Sequence, residues 1–434
     1  MEKKVLVLGA GMVTKPMIRY FAEKTNYSVI VASRTRKHID ELISGYDRVK
    51  GIVWEAHDIE GLKGLVKEAD IVRSFLPYIY HIEVAKLCVE YGKPLVTTSY
   101  VKEEMAKLDG PAKEKGVLLL NEIGLDPGID HMTAQKIIDR AHNEESNVVE
   151  FYSYCGALPA PEYANNPLRY KFSWSPEGVL RAGNNSARYL KDGRVIEIPS
   201  DELFMHRWTE HVAGVGELEV YPNRDSLVYV DKYNIHEVKT LIRGTFRYPG
   251  WCETQIYLKK LHLTEEGIKV PEGVSTWKEL ITLKLKELNE PIPDSIMDKL
   301  RWLGLFEDRK LYCTDCTIFE NFVTLLKEKL FYREGEKDII VLKHRIILEK
   351  NGKKKVHIVS LISEGIIGKE TAVAKTVSLP ATIAADLILR GEIDLKGVWI
   401  PTHPVIYEKV LKGLEEEGIK PVYEEHSLEG AVEK

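Results

Sequence analysis

The strongest constraint on the fold is a strand, a glycine turn and a helix in immediate succession at the start of the chain. Residues 5–8 form an apolar run of strand character, Gly9-Ala-Gly11 breaks it, and a helical pattern runs from Val13 to about residue 22. A helix that begins this way points its free backbone N–H groups and the positive end of its dipole at whatever lies over the turn, commonly a pyrophosphate. The pattern predicts a dinucleotide-binding domain, although Thr14 occupies the position of the usual third glycine.

Strands and helices then alternate through the first third of the chain. Strand-like runs recur at residues 27–32, 48–54, 70–76, 94–98 and 117–120, with helical patterns between them. Such alternation with short loops implies an α/β fold with a doubly wound parallel sheet, the Rossmann architecture. Ligands of these sheets lie at the carboxyl ends of the strands. The candidates for a cofactor pocket are therefore the residues that follow the strands: Gly9, Ala10, Gly11, Met12, Val13, Ser33, Arg34, Thr35, His57, Asp58, Phe75, Leu76, Pro77, Thr97, Thr98, Ser99, Tyr100 and residues 121–126.

The residues after the second strand indicate which dinucleotide is bound. An NAD enzyme places Asp or Glu about twenty residues after the glycines, against the ribose 2′-hydroxyl. This chain has Ser33, Arg34 and Thr35 there, followed by Arg36 and Lys37. An arginine fork and small hydroxyls bind a 2′-phosphate, which a carboxylate would repel. We therefore predict NADP, with Arg34 on the phosphate and Arg36 and Lys37 at the surface. The alternative is that all three cations form the solvated start of a helix.

The bulk composition excludes several classes of protein. With 434 residues the chain is too long for one compact core, so two or three domains are expected. The formal net charge of -5 and the lack of a basic stripe argue against a nucleic-acid partner. No apolar run is expected to span a membrane, and the chain begins directly with a strand, so we expect neither a membrane partner nor a signal peptide. These features are typical of a cytoplasmic enzyme.

The five cysteines do not form the framework of a disulfide-rich protein. Cys313 and Cys316 make a single C-x-x-C motif without a second pair or nearby histidines. A structural zinc site needs four ligands, so we predict no metal and expect this pair to be incidental.

From about residue 131 the pattern becomes a mixture of strands and helices. Strands are predicted at residues 148–154, 194–198, 218–221, 238–246, 338–349 and 355–362, a mainly helical stretch at 264–330, and a long helix at 371–390. The Asn351-Gly352 pair predicts a tight hairpin between the last two strands. Arginines in loop-like settings, including Arg224 and Arg243, suit bidentate binding of carboxylates, although a surface ion pair is an equal alternative for Arg243.

Nine motifs stand in order within the first 250 residues: Gly9-Ala-Gly11, Ser74-Phe-Leu-Pro-Tyr-Ile-Tyr-His81, Thr97-Thr-Ser-Tyr100, the run NEIGLDPGIDH at residues 121–131, Tyr154-Cys-Gly156, Leu158-Pro-Ala-Pro-Glu162, Tyr170-Lys-Phe-Ser-Trp-Ser175, Tyr221-Pro-Asn-Arg-Asp-Ser226 and Arg243-Gly-Thr-Phe-Arg247. Together they resemble the glutamate-forming saccharopine dehydrogenase family, also called saccharopine reductases. The resemblance continues more weakly through residues 372–391, and residues 264–330 carry little of it.

The resemblance implies a reaction of lysine metabolism. The amino group of glutamate condenses with the aldehyde of α-aminoadipate semialdehyde, and the imine takes a hydride from NADPH to give saccharopine. It also implies a Rossmann domain at residues 1–130 with a C-terminal return at about 391–434, an α/β substrate and dimerisation domain at 131–263 and 331–390, and a helical insertion at 264–330. A homodimer is left open.

The resemblance also implies site residues, since a substrate with three carboxylates requires arginines and hydroxyl or amide donors. The implied cofactor contacts extend to Leu125, Asp126, Pro127 and Ser175. The implied substrate contacts are Ser99, Tyr100, Asp126, Arg224, Thr245, Phe246 and Arg247. Proton transfer at nitrogen and oxygen makes Asp126, Tyr100 and Cys155 the catalytic candidates. The alternatives are that Asp126 only caps a turn and that Cys155 is an inert buried thiol.

The role of Arg73 and two rival functions remain open. Arg73 interrupts an apolar strand, and its role is left open, with pairing to an acid near the strand end as one alternative. Carboxynorspermidine dehydrogenases and lysine 6-dehydrogenases share the Rossmann start but are expected to differ between Lys171 and Arg247. A non-enzymatic NADP-binding sensor is a second rival, and it would not need a second arginine-rich pocket.

Overall fold

The chain forms two compact units in a computed structural model that describes residues 2–428. Of the described residues, the first unit comprises 2–145 and 369–423, and the second comprises 146–368 and 424–428. The predicted domain limits place residues 131–145 and 372–389 with the substrate domain, whereas the structure places both segments in the first unit.

The first unit begins with six strands that alternate with helices. The strands are β1 (Lys4–Leu8), β2 (Ser28–Ser33), β3 (Val49–Val53), β4 (Ile71–Ser74), β5 (Leu95–Thr97) and β6 (Leu118–Leu120). The helices are α1 (Lys15–Lys24), α2 (Arg36–Ile43), α3 (Ile59–Glu68), α4 (His81–Tyr91), α5 (Glu103–Ala106), α6 (Asp109–Glu114) and α7 (Ile129–Asn143). β4, β5 and β6 are buried along their whole length, as expected of strands covered on both faces.

The second unit has a mixed sheet and a group of helices. Its strands are β7 (Asn147–Pro159), β8 (Ala187–Lys191), β9 (Arg194–Ile198), β10 (Trp208–Val212), β11 (Gly216–Pro222), β12 (Thr240–Arg247), β13 (Asp338–Lys350) and β14 (Lys353–Glu364). Its helices are α8 (Pro176–Ala182), α9 (Val228–Tyr233), α10 (Trp251–Lys260), α11 (Trp277–Leu288), α12 (Asp294–Leu303) and α13 (Ile318–Leu330). The last three form the helical stretch predicted within residues 264–330. Capping boxes at Thr276 and Thr317 start α11 and α13.

The remaining elements are α14 (Ala372–Leu389), β15 (Gly397–Trp399), α15 (Pro404–Glu416) and β16 (Val422–Ser427). β15 pairs in parallel with β6 and completes the first sheet, whose order is β15-β6-β5-β4-β1-β2-β3. Every pairing in this sheet is parallel, so the predicted doubly wound Rossmann sheet is confirmed. The order reverses between β4 and β2 around β1, and ligands bind such sheets at this switch point.

The second sheet follows the order β10-β11-β12-β7-β13-β14-β16, with β8 and β9 attached beside β12. β7 and β12 are parallel and their other neighbours antiparallel. The predicted hairpin between β13 and β14 is present, because Lys350 pairs with Lys353 and both Asn351 and Gly352 have positive φ. The predicted α/β second domain is therefore also confirmed.

Two sequence expectations need correction. Helix α14 has the length and hydropathy that a membrane-crossing segment needs, contrary to the expectation that no apolar run is long enough, yet 78% of it is buried inside the protein. A buried core helix passes the same test of composition. The Cys313–Cys316 pair, expected to be incidental, is joined by a disulfide in the loop that precedes α13.

Candidate functional site

The glycine turn after β1 is closed by Thr14 instead of a third glycine. The Thr14 hydroxyl accepts the Gly11 N–H over 3.1 Å and donates to the Gly9 carbonyl oxygen over 3.4 Å. Gly9 has φ of 105° and lies against Phe75, where an added Cβ would come within 3.4 Å of the Phe75 Cβ. An added Cβ on Gly11 would meet nothing within 4 Å, so the turn has open space above it. This arrangement fits the approach of a pyrophosphate to the start of α1.

Ser33, Arg34 and Thr35 lie at the end of β2, beside this turn, as predicted. Arg34 and Thr35 are exposed and Ser33 is half-buried. Arg36 forms an ion pair of 2.9 Å with Asp40, and Lys37 lies 3.8 Å from Glu41, so these two cations have surface partners on α2. Arg34 precedes α2 and is exposed, and its predicted contact with a 2′-phosphate stays a prediction.

The predicted contacts after β3 and β4 differ in their surroundings. Asp58 caps α3, since its carboxylate accepts the Gly61 N–H over 2.9 Å, and His57 is exposed beside Glu55. Phe75 and Leu76 follow β4 directly, at the switch point of the sheet. These last two are the better placed for a dinucleotide.

Tyr100 and Asp126 come together from two different loops of the first unit. The Tyr100 hydroxyl lies 3.3 Å from Asp126 Oδ1. Tyr100 follows β5 and Asp126 follows β6, in a turn where the Asp126–Pro127 peptide is cis and Gly128 has φ of 146°. Leu125 and Pro127 flank Asp126 and are buried, whereas Asp126 itself is half-buried. The turn therefore presents an anion at the carboxyl edge of the sheet.

A cavity of about 320 Å³ opens at this edge of the sheet. It is lined by Tyr78, Ile79, His81, Ile82, Thr97, Ser99, Tyr100, Lys102, Glu104, Met105 and Asn121. Thr98, which follows Thr97, packs against Gly124. The predicted residues Thr97, Ser99 and Tyr100 thus share one cavity with His81, which the sequence did not single out.

His81 is held neutral beside Ser99. Its Nε2 lies 2.8 Å from the Leu76 carbonyl oxygen and 3.3 Å from Ser99 Oγ. Because a carbonyl only accepts hydrogen bonds, Nε2 carries the proton. Burial, reinforced by the nearby charge of Arg73, lowers the pKa of His81 to about 4. The side chain therefore orients Ser99 without adding a charge to the cavity.

Among the described residues, the partners of Arg73 are backbone carbonyls and a ring, not the acid that the sequence left as an alternative. Its Nη1 donates to the carbonyl oxygens of Ser74 and Val96, and its guanidinium lies 4.1 Å from the centre of the Phe75 ring. The side chain is fully buried, and its Nε and Nη2 lack partners in the part of the chain that the structure describes. Burial lowers the pKa of Arg73 to about 9. Backbone dipoles and a ring face take the place of that acid.

In the second unit, Cys155, Thr245 and Tyr221 form a row across three strands. Thr245 on β12 is paired with Cys155 on β7 and with Tyr221 on β11. Paired residues present their side chains on the same face of a sheet. Cys155 and Tyr221 are buried, Thr245 is half-buried, and burial raises the pKa of Tyr221. The predicted catalytic thiol and one predicted substrate contact are therefore direct neighbours.

Arg247 lies two residues further along β12, inside a cluster of aromatic rings. Its guanidinium carbon is 5.2 Å from the centre of the Tyr170 ring and 5.5 Å from that of Trp251. Nη1 donates to the Phe246 carbonyl oxygen over 2.7 Å. Arg247 Nε, Tyr170 Oη and Trp251 Nε1 are buried without hydrogen-bond partners among the described residues. A buried cation with two further donors nearby has the chemistry of a carboxylate site.

The other predicted residues of the second unit have distinct environments. Arg224 is exposed in the loop after β11 and has φ of 54°, and this loop is anchored by Asp225, which pairs with Arg188 over 2.7 Å. Arg243 is buried against the ring and hydroxyl of Tyr229, so the surface ion pair considered for it is wrong. Ser175 caps α8, accepting the Gly178 N–H over 3.1 Å.

Phe246 is the predicted substrate residue whose side chain is placed least favourably. Its ring packs in the core, 5.6 Å from the Tyr154 ring centre, and is fully buried. Its backbone carbonyl oxygen accepts a hydrogen bond from the Arg247 guanidinium. Any contact with substrate at Phe246 is therefore a main-chain contact.

Tyr170, Trp251 and His81 were not predicted as site residues. Tyr170 begins one of the motifs that carry the family resemblance, and His81 ends another. Their place in these motifs was the sequence signal that could have identified them as site residues. The sequence held no such signal for Trp251. This residue begins a helix four residues after Arg247, and the distance between the two side chains depends on the turn between them. Among the described residues, no group of three or more His, Cys, Asp or Glu side chains converges as a metal site would require.

Comparisons with known proteins agree over nearly the whole chain. The profile of the saccharopine dehydrogenase NADP binding domain matches residues 5–120, and that of the saccharopine dehydrogenase C-terminal domain matches residues 124–419. The chain is 34% identical to saccharopine dehydrogenase [NADP(+), L-glutamate-forming] of Schizosaccharomyces pombe, covering 96% of this chain and 97% of that protein. It is 35% identical to the mitochondrial alpha-aminoadipic semialdehyde synthase of Rattus norvegicus, covering 96% of this chain and 47% of that protein.

A solved structure of the same family is similar to this chain over nearly its whole length. Apo saccharopine dehydrogenase (L-Glu forming) from Saccharomyces cerevisiae superposes with a TM-score of 0.89 at 32% identity, covering 98% of this chain and 100% of that one. A homospermidine synthase from Legionella pneumophila, with a TM-score of 0.59 and 9% identity, shares the fold alone.

Proposed function

Because this chain belongs to the saccharopine dehydrogenase family, we propose that it is an NADP-dependent saccharopine reductase. The reaction joins L-glutamate to α-aminoadipate semialdehyde through an imine, or runs in reverse from saccharopine. The observation that carries the proposal is the Tyr100–Asp126 pair, an acid and a phenol at the same sheet edge as the glycine turn. A simple NADP-binding sensor has no use for this pair.

The residues of the first unit fit the proposed cofactor. Gly9, Gly11 and Thr14 leave open space at the start of α1 for a pyrophosphate, and Arg34 is exposed where a 2′-phosphate would lie. When bound there, NADP would supply the hydride acceptor for oxidation of the carbon next to the secondary amine. The absence of Asp or Glu at residues 33–35 favours NADP over NAD.

Asp126 is proposed to stabilise the positive charge on nitrogen. A carboxylate placed beside the amine favours the cationic form that follows hydride loss, and such electrostatic stabilisation is commonly the largest catalytic contribution. The Tyr100 hydroxyl, bonded to Asp126, is placed to pass a proton to or from the carbinolamine oxygen. Cys155 is a weaker candidate for the same step, because it is buried within β7.

Arg247 and Arg224 are proposed to bind carboxylates of the substrate. Arg247 is buried and offers Nε, with the hydroxyl of Tyr170 and the indole N–H of Trp251 as additional donors. Arg224 projects from an anchored loop and is exposed. A substrate that carries several carboxylates needs more than one such cation. The further parts of the proposal, namely a cytoplasmic location and the absence of metal, nucleic-acid and membrane partners, rest on the sequence.

The proposal is tested by identifying products. Purified protein is incubated with saccharopine and NADP, and the mixture is examined by mass spectrometry for glutamate and α-aminoadipate semialdehyde. We expect both products in equal amounts, with one NADPH formed for each. Arg36→Asp serves as the control variant, because Arg36 pairs with Asp40 at the surface and should not affect turnover. Failure to form glutamate over a range of pH and substrate concentration overturns the proposal.

A further inference from the structure

Glu122 and His131 form a fully buried pair in the first unit. Glu122 Oε2 lies 2.9 Å from His131 Nε2, and neither side chain is exposed to solvent. Glu122 follows β6 by two residues, and His131 lies in the first turn of α7. Glu122 lies within residues 121–126, which the sequence offers as cofactor-pocket candidates, but its buried carboxylate faces His131.

Glu122 holds the segment that carries Tyr100 from both sides. Its backbone N–H donates to the Ser99 carbonyl oxygen over 3.1 Å, and its Oε1 accepts the Val101 N–H over 2.9 Å. Tyr100 stands between these two anchored residues. Because each bond fixes a neighbour of Tyr100, the orientation of the Tyr100 ring depends on Glu122.

His131 belongs to the first turn of α7, which is hydrogen-bonded to the turn that carries Asp126. The Ile129 N–H donates to the Gly124 carbonyl oxygen over 2.9 Å, and the Gly124 N–H donates to the Pro127 carbonyl oxygen over 2.8 Å. These bonds join the first turn of α7 to the Asp126 turn as one unit. Glu122 lies in the same loop as Asp126 and bonds to both neighbours of Tyr100, and its contact with His131 fixes its carboxylate against the start of α7.

Two costs accompany this arrangement. A carboxylate buried at 0% exposure is unfavourable unless it is paired and hydrogen-bonded. Glu122 also has φ of 54°, in the left-handed region that side chains other than Asn and Asp rarely adopt. Such costs persist only where surrounding structure imposes them, and they cluster at functional sites.

We infer that Glu122 and His131 are positioning residues, which set the geometry between Tyr100 and Asp126 without touching substrate. The inference rests on the proposed function, in which that pair assists the reaction at nitrogen and oxygen. The Tyr100–Asp126 separation of 3.3 Å is already longer than the 2.5–2.7 Å typical of a hydroxyl on a carboxylate. A small shift of either loop therefore breaks the bond.

The test is a double-mutant cycle between Glu122 and Tyr100. Glu122→Ala should lower kcat for saccharopine oxidation by roughly 100-fold, the effect of misplacing a reacting group by about 1 Å. The dissociation constant of NADPH, measured by fluorescence, should stay within about twofold. In a Tyr100→Phe background the same substitution should cost far less, because the bond that Glu122 sets is already absent. Equal losses of kcat in both backgrounds overturn the inference.

Glu122→Gln is the matched conservative variant. Its amide oxygen can accept the Val101 N–H and its amide nitrogen can face the imidazole, so it should restore most of the lost kcat. If Glu122→Ala does not fold, as judged by circular dichroism and thermal melting, the cycle is run with Glu122→Gln. The expected result is a smaller loss of kcat that disappears in the Tyr100→Phe background, and a loss of the same size in both backgrounds contradicts the inference.

Hydrogen exchange separates failure of this inference from failure of the proposed function. Wild-type protein that forms no glutamate from saccharopine rejects the function alone. In that case the Val101 amide and the amides of residues 124–129 should still exchange faster in Glu122→Ala or His131→Phe than in wild type, because each substitution removes the Glu122–His131 contact that holds the two segments together. If Val101 loses protection from exchange while residues 124–129 keep theirs, the two loops are not connected. This result rejects the inference.

Discussion

The Tyr100 hydroxyl and Asp126 Oδ1 lie 3.3 Å apart, although the two residues are 26 positions apart in the sequence and follow different strands. The parallel sheet brings them to one edge, since β5 and β6 are neighbours and both end there. An anion and a phenol in contact can share the proton work of imine chemistry. Their relative contributions are therefore measurable by single substitutions.

We expect Asp126→Ala to be the most damaging of three substitutions at the catalytic candidates. A residue that acts as sole general base typically contributes 10²–10⁴-fold to turnover, and its loss removes one limb of the pH profile. Tyr100→Phe keeps the ring and should cause a moderate loss, and Cys155→Ser should be the mildest. The measurement is kcat against pH for each variant. If Cys155→Ser abolishes turnover while Asp126→Ala retains most of it, the centre has been assigned to the wrong residue.

Arg34→Asp should weaken NADP binding and bring the affinity for NAD closer to it. The substitution removes a charge-assisted hydrogen bond to the 2′-phosphate, which corresponds to about 10- to 100-fold in affinity. Isothermal titration with both cofactors provides the measurement. Arg36→Asp is the matched control and should leave both affinities near those of wild type. An unchanged NADP affinity in Arg34→Asp contradicts the assignment.

Arg247→Ala and Arg224→Ala should each raise the KM for saccharopine while leaving the NADP affinity near that of wild type. Each removes a cation from one carboxylate, and at Arg247 the charge of the substrate is then left in a largely desolvated pocket. Trp251→Phe, which removes only the indole N–H, should raise the KM about tenfold or less. Equal damage to cofactor binding would assign these residues to structure or to the dinucleotide.

Stability should fall as the pH is lowered from 6.5 towards 4, and His81 should account for part of the loss. The pKa of His81 is lowered by burial from 6.5 to about 4, so the unfolded chain binds a proton in this range that the folded chain excludes. This difference in pKa corresponds to about 3 kcal/mol in the free energy of unfolding once the pH is below both pKa values. His81→Gln should flatten the dependence of the melting temperature on pH in this window. His236→Gln, at an exposed position, is the control, and an identical dependence in wild type and His81→Gln contradicts the assignment.

Arg73→Met should raise the melting temperature. Arg73 is a fully buried cation whose acceptors are two backbone carbonyls. Replacing a buried ion pair with well-packed apolar side chains is often neutral or stabilising by about 1–4 kcal/mol, and we expect the replacement of this buried cation to act in the same direction. Arg73→Gln retains a polar group in the same place and should bring no gain. The measurement is differential scanning calorimetry. A lower melting temperature for Arg73→Met would show that the contact with Phe75 and the two carbonyls outweighs the burial of charge.

The first unit was the most predictable part of the chain, because short apolar runs ended by Gly, Pro or polar residues allow few alternatives. The predicted strand at residues 70–76 is observed as Ile71–Ser74, and the predicted strand at residues 27–32 is observed as Ser28–Ser33. Thr14 shows the limit of motif reading. The fingerprint lacks a glycine there, yet the hydroxyl closes the same turn through two local hydrogen bonds.

The site in the second unit was predicted in identity but not in environment. The resemblance named Arg247, whereas its neighbours Tyr170 and Trp251 approach it only through tertiary packing. It also named Phe246 without saying which atoms matter, and the structure places the ring in the core. The surroundings of Arg73 could not be predicted for the same reason, since a sequence does not show which backbone carbonyls face a buried side chain.

The most direct test of the central claim is the absorbance at 340 nm, where NADPH absorbs, when the protein is mixed with NADP and one candidate substrate at a time. The candidates are saccharopine, carboxynorspermidine and lysine. We expect the absorbance to rise with saccharopine and not with the other two candidates. The rate of this rise should be larger with NADP than with NAD, and at least 100-fold smaller in Asp126→Ala. A rise with carboxynorspermidine or lysine and none with saccharopine would contradict the central claim.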